Sequence, residues 1–170
     1  MGKNIQKSRA RLPIERRVSS VAVSENSRTF TVFVPGGRRP DVIHLDDKDG
    51  PYIHQLKSRC DYVIEIFVDA PKKTFFLVEL KGDDVVKGLE QLAYTAEHLK
   101  DCSQLRDYLK FTMRHACVVA SHGPPKNVNI PVTRQRKCEV RLERCGFTEV
   151  KVRTHQLVAH VDGNGAIRYE

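Results

Sequence analysis

The sequence predicts an α/β domain, a central mixed sheet flanked by helices with extra strands at its edges. Three observations predict it. β-Branched and aromatic runs recur in pairs with turn residues between them. Directly after the second pair, Val85 to Leu99 switches to helical spacing. Beyond it, strand-like and helix-like stretches alternate, the order expected where helices pack on a sheet.

The chain has 170 residues, which suits one domain over 18–170 behind a basic N-terminal extension, 1–17. The extension carries no hydrophobic periodicity and is expected to be mobile. At 40% hydrophobic and 29% charged, the composition is that of a globular protein rather than a disordered one. The apolar runs fall far short of the roughly 20 residues a spanning helix needs, and no apolar stretch follows the basic start. We therefore expect no membrane association and a cytoplasmic location. The five cysteines, Cys60, Cys102, Cys117, Cys138 and Cys145, are odd in number and lack zinc-type spacing. They read as reduced, mostly buried thiols.

In chain order, Val18 to Val23 and Thr29 to Val34 are strands, joined by the turn-rich loop Ser24 to Arg28. Pro35-Gly36-Gly37 ends the second, a short extended piece follows at Val42 to Leu45, and Asp46 to Pro51 is a loop. Cys60 to Val68 and Thr74 to Lys81 form a second hairpin across the loop Asp69 to Lys73. Pairing Val68 with Thr74 sets Asp61 opposite Lys81 and Val63 opposite Glu79, with all four on one face. The other face, Tyr62, Ile64, Ile66, Phe76, Val78 and Leu80, is apolar and faces a core. Asp83 or Asp84 caps the helix whose apolar positions are Val85, Leu89, Leu92, Ala93, Ala96 and Leu99, and Lys87, Gln91 and Tyr94 form a polar stripe beside them. Ala116 to Ala120 is a buried strand, about Val132 to Cys145 a helix stopped by Gly146, and Val150 to Val152 and Leu157 to Val161 are edge strands.

The net charge of +8 is concentrated in two places. Lys3, Lys7, Arg9, Arg11, Arg16 and Arg17 face only Glu15 in the extension, and Arg134, Arg136, Lys137, Arg141 and Arg144 outnumber Glu139 and Glu143. Basic segments on an otherwise balanced domain point to a polyanion, with nucleic acid ahead of acidic membrane because no amphipathic anchor accompanies them. Arg16, Arg17, Lys87, Arg134, Arg136 and Lys137 are the candidate contacts.

The sharpest constellation is Asp61 with Glu79-Leu80-Lys81, at the shared end of two neighbouring strands just before a helix. A Glu-x-Lys tripeptide alone is commonplace as a solvated ion pair. Here the added Asp61, the shared face, the apolar strands and the capped helix set it apart. Two adjacent carboxylates repel and call for neutralisation by a hard cation, so Asp61, Glu79 and the Leu80 carbonyl suit Mg2+, with Mn2+ able to substitute. Lys81, on the same side, is placed to hold or deprotonate an attacking water in phosphodiester hydrolysis. Asp46 to Gly50 lacks the terminal Glu of a calcium loop, and no P-loop or dinucleotide fingerprint is present.

Asp61, a seventeen-residue interval, and Glu79-Leu80-Lys81 followed by a helix resemble the motif of the PD-(D/E)xK, or restriction-endonuclease-like, nucleases. The likeness covers about Cys60 to Leu99, and Cys60-Asp61-Tyr62, Val78 to Gly82 and Leu89-Glu90-Gln91-Leu92 look most like small bacterial and phage members. Cys60 stands where the motif often has Pro. The resemblance implies an αβββαβ core, metal on Asp61 and Glu79, Lys81 acting on the water, and Gln91 supporting the site. Many members add a Glu from an N-terminal helix. Glu15 is the nearest candidate for it, ahead of Glu25 and Asp46.

The expected function is thus a Mg2+-dependent deoxyribonuclease, an endonuclease in preference to an exonuclease. DNA is the expected partner, and a homodimer would present two sites to a duplex. The alternative is a non-catalytic nucleic-acid-binding or protein-interaction module that keeps the nuclease fold.

Overall fold

The computed structural model describes residues 18–36, 39–47, 57–67, 73–101, 111–122 and 129–170. Arg16, Arg17, Glu15 and Cys102 lie outside them.

Val18–Glu25 (β1) and Arg28–Pro35 (β2) pair antiparallel down to Glu25 opposite Arg28. The connection is therefore two residues, not the five expected. Asn26 and Ser27 both take positive φ, 46° and 64°, the twist that suits a right-handed hairpin. Next, Asp41–His44 (β3), Tyr62–Ile66 (β4) and Thr74–Lys81 (β5) form an antiparallel meander. Helix Val85–His98 (α1) crosses to Met113–Ala120 (β6), which lies parallel to β5, and Asn129–Arg144 (α2) crosses to Glu149–Thr154 (β7), parallel to β6. The five-stranded sheet has the order β3-β4-β5-β6-β7. Gln156–Val161 (β8) and Ile167–Tyr169 (β9) complete the other sheet, ordered β1-β2-β8-β9.

Three sequence expectations change. The hairpin register is shifted by two residues: Tyr62 faces Val78 and Ile66 faces Thr74, because β4 ends at Ile66 and the connection is longer than assumed. A shift of two leaves side-chain parity untouched, so Asp61, Glu79 and Lys81 keep their common face. Secondly, both faces of β4 and β5 are buried. Val63, Phe75 and Leu77 pack with Leu89, Leu92 and Ala96 of α1, while Ile64, Phe76, Val78 and Leu80 pack with Phe30, Val32, Leu157 and Ala159 of the other sheet. β5 accordingly reads as a continuous apolar run, as strands covered on both sides do. Thirdly, the first hairpin and β8 are not edge additions to the central sheet. They belong to a second sheet stacked on it, and β8 is interior there, between β2 and β9. Among the described residues the layers are helix, sheet, sheet, so helices cover one face of the central sheet and the second sheet covers the other.

The switch between sheets falls at His155, with φ 59°. Its amide donates to the Ala120 carbonyl at the end of the first sheet, while its carbonyl accepts from the Thr29 amide of the second. At the end of α2, Gly146 has φ 83° and Phe147 N donates to Leu142 O, the left-handed stop expected of that glycine. Among the described residues no helix is long and apolar enough to cross a membrane. Cys60, Cys117 and Cys138 are buried free thiols, and Cys145 is a half-buried one.

Candidate active site

Strands β5, β6 and β7 are parallel, with Lys81, Ala120 and Thr154 in register at their C-terminal ends. Both crossover helices begin at that edge, because each starts soon after a strand ends. Ligands of open α/β sheets bind at such edges. The antiparallel β4 starts there too, which brings Asp61 beside the end of β5.

Asp61 is fixed by a short hydrogen bond, its Oδ2 accepting from Leu80 N at 2.6 Å. This bond ties the start of β4 to the middle residue of Glu79-Leu80-Lys81. Burial raises the Asp61 carboxyl above its ordinary range, and the charges of Glu25 and Asp46 add to the rise against the opposing pull of the Leu80 amide and Lys81. Two of the three acids considered for a further role thus act on Asp61 through space: Glu25 at the end of β1, and Asp46 just after β3.

Glu79 is buried, 1% exposed. Burial, reinforced by the charge of Asp61, pushes its carboxyl up to about 8, with Lys81 and a hydrogen bond from the Asp61 backbone working in the other direction. Its Oε1 lies 3.6 Å from Lys81 Nζ, and its Oε2 is buried with no hydrogen-bond partner among the described residues. An unpartnered carboxylate oxygen in the interior is costly and calls for an explanation. Lys81 Nζ donates to Gln91 Oε1 at 2.9 Å, and Gln91 Nε2 donates to Arg59 O at 3.0 Å. Gln91 therefore belongs to the constellation rather than to a solvated stripe. Its stripe neighbour Tyr94 instead stacks on His98.

Helix α1 reaches this place because Asp84 caps it, the Asp84 Oδ1 accepting from Lys87 N at 2.9 Å. One turn in, Gly88 lies directly over the strand end: a Cβ there would come within 3.3 Å of Glu79 Cγ, Lys81 Cβ and Val118 Cγ1. Thr95 then fastens the segment before β4, its Oγ1 accepting from Cys60 N at 2.9 Å and donating to Gln91 O at 2.8 Å. Sequence reasoning passed over both residues. A glycine inside a helical pattern marks close approach, and that signal was available for Gly88. Nothing local marks Thr95, whose partner is 35 residues away.

A cleft of about 330 Å3 adjoins the constellation, lined by Asp46, Lys57, Ser58, Arg59, Lys87, Glu90 and Gln91. Lys87 is thus beside the site, as expected, and Lys57 and Arg59 join it. Arg59 is paired with Asp46 at 2.9 Å. The basic helix segment is more self-satisfied than its composition implied. Arg134 pairs with Glu90 at 2.6 Å, at the rim of the cleft, and Arg136 pairs with Glu139 and Glu143. Arg136 and Lys137 line a separate hollow of about 600 Å3 on α2, which shares no lining residue with the cleft. Among the described residues no group of three or more His, Cys, Asp or Glu side chains is disposed to hold a metal ion. Asp61 and Glu79 are both hard oxygen donors, and Glu79 Oε2 is buried without a hydrogen-bond partner among the described residues. That donor set fits a hard divalent cation and no softer metal. Against protein-family models, curated proteins and solved structures alike, the chain finds no match.

Proposed function

We propose that this chain is a metal-dependent nuclease that hydrolyses DNA phosphodiester bonds, with endonucleolytic cleavage favoured. The observation that carries the reading is the convergence of Asp61, Glu79, Lys81 and Gln91 at one sheet edge, with a buried carboxylate oxygen that has no partner among the described residues. The order of elements supports a restriction-endonuclease-like core, since the meander β3-β4-β5, the crossover α1 and the parallel β6 follow its βββαβ portion. Among the described residues the position ahead of the meander is taken by the hairpin β1–β2 and not by a helix.

Asp61 and Glu79 would hold Mg2+ or Mn2+ together with the Leu80 carbonyl. Such an ion, when bound, supplies charge neutralisation and Lewis-acid polarisation of a phosphate oxygen. The chain's own residues do the rest. Burial of Glu79 and the nearness of Asp61 make their joint ionisation depend on a nearby cation. Lys81, held by Gln91 and Glu79, presents its remaining Nζ donors to the attacking water and fixes its approach. Lys57 and Lys87 offer cations along the cleft to backbone phosphates, a sequence-blind and salt-sensitive attraction.

One observation favours the second reading, a non-catalytic nucleic-acid-binding or protein-interaction module. The Asp61–Leu80 bond gives the acid a structural task of its own, tying two strands together. The two readings part in a cleavage assay on supercoiled, linear and branched DNA, with Mg2+ or Mn2+ and with chelator. Wild type nicks DNA only with the metal, and Lys81→Ala lowers the rate about 10²–10⁴-fold, the usual worth of a positioned proton-transfer group. Equal residual activity in both proteins, or none in wild type with any metal, removes the enzymatic reading.

A further inference from the structure

Among the described residues two open sheets leave four edge strands, and three of them are defended against pairing. β3 is four residues long and carries Asp41, β7 carries Glu149, Lys151 and Arg153, and β9 is three residues long with Arg168 at its centre. Short length and charge are the usual protections of an edge. β1 has neither: it runs for eight residues and is uncharged up to its last, Glu25.

The hairpin geometry decides which backbone groups of β1 face outward. A two-residue turn closes on a hydrogen-bonded pair, here Glu25 with Arg28, so Ser19, Val21, Val23 and Glu25 bond to β2. Ser20, Ala22 and Ser24 therefore turn their N–H and C=O away from the sheet, and no turn or loop of the described chain bonds to them. Their side chains are small and exposed, while Val23 is buried in the layer between the sheets with Val21 packed against that layer. Among the described residues no bulky or charged side chain of Ser19 to Ser24 obstructs a strand laid alongside.

We propose that β1 is a homodimer seam, pairing antiparallel with β1 of a second copy about a two-fold axis at Ala22 and joining two four-stranded sheets into one of eight. In that register Ala22 meets the partner's Ala22, Ser20 meets the partner's Ser24, and Val21 meets the partner's Val23. From Ser20 to Ser24 each opposed pair matches in size and polarity, and the one charge, Glu25, falls opposite the partner's Ser19 instead of against its own copy. This self-complementarity is what an isologous interface requires, and it selects a second copy over an unrelated strand. About six backbone hydrogen bonds form across the seam. The seam does not depend on the nuclease reading.

The test is sedimentation equilibrium of the full chain over a range of concentration and salt. Wild type sediments at twice the chain mass of 19.4 kDa. The association tightens as salt screens the repulsion between two chains of net charge +8, whereas a complex bridged by nucleic acid would loosen. Ala22→Pro removes one outward N–H and leaves the β1–β2 bonds alone, and Ala22→Lys sets two ammonium groups face to face. Each raises the dimer dissociation constant at least tenfold. Ala22→Lys, at an exposed position, decides the matter if the proline variant fails to fold. Wild type at the single-chain mass throughout, or a dimer that Ala22→Lys leaves intact, overturns the proposal.

Discussion

Two buried polar clusters sit on opposite faces of the five-stranded sheet, and they differ in the charge they carry. On the face toward the second sheet, His115 Nδ1 and the Tyr169 hydroxyl share a hydrogen bond of 2.6 Å, and Cys117 Sγ lies 4.0 Å from the same oxygen. Burial holds the His115 imidazole down to about 4, lifts the Cys117 thiol to about 12 and raises the Tyr169 phenol, so all three are neutral at ordinary pH. On the helix-covered face, Asp61 and Glu79 are also pushed toward neutrality, yet they stand beside Lys81, and Glu79 keeps an oxygen without a partner among the described residues. The first cluster meets burial with neutral groups bonded to one another, although His115 Nε2 too is buried with no hydrogen-bond partner among the described residues. The second gathers ionisable acids and an amine at a partly exposed strand end, where a cation would neutralise the acids, and for that reason the second is the functional candidate.

The contrast breaks most severely through Glu79→Gln. This change removes the negative charge that a cation would neutralise, and three readouts follow. Metal-dependent cleavage falls by about 10²-fold or more. The stabilisation of wild type by saturating Mg2+ or Mn2+, about 3 kcal/mol at a hundredfold excess over the dissociation constant, disappears. A thermal melt reads that loss as roughly 6–12 °C for a chain of this size. A variant that is still stabilised by metal as much as wild type would assign the ion elsewhere.

The neutral cluster gives a pH effect of similar size. Unfolded, His115 takes up its proton near 6.5; folded, it resists until about 4. The folded state therefore binds fewer protons between those values, and its stability, full above about 6.5, is lost progressively as pH falls toward 4. The loss from this one group is on the order of 3 kcal/mol. His115→Gln can still hydrogen-bond to Tyr169 but cannot titrate, so denaturant melts at pH 7 and pH 4.5 differ less for the variant. An unchanged difference would clear His115 of the effect.

The smallest effect sharpens the comparison on the helix side. Thr95→Val keeps the shape and removes the acceptor for the buried Cys60 amide, costing about 1–3 kcal/mol of stability. Because Thr95 also grips the Gln91 carbonyl, hydrogen exchange at Cys60 should quicken in the variant. Exchange as slow as in wild type would show that another group has taken its place.

Much of the site was legible in advance for a simple reason. Strand parity survives an error of two in register, so Asp61, Glu79 and Lys81 were correctly set on one face although the expected pairs were wrong. The Asp cap likewise fixed where α1 starts, which brought Gln91 into range of Lys81. Ion pairing was not legible. Arg134 and Arg141 meet Glu90 and Glu97 only because α1 and α2 lie side by side and parallel, and local charge density could not foresee that neutralisation. Likewise, the strands of the second sheet looked like additions to the first. Their apolar faces revealed that they were covered, but not by what.

The sequence by itself determined the hairpins, the helix starts and the common face of two acids and an amine, because these follow from short-range periodicity and capping. Only the tertiary structure decided that a second sheet shields the far side of β5, that Glu79 loses its water, and that Thr95 and Gly88 seat the helix over it. Burial and long-range hydrogen bonding are set by what arrives from distant parts of the chain, and a linear pattern carries no record of that arrival.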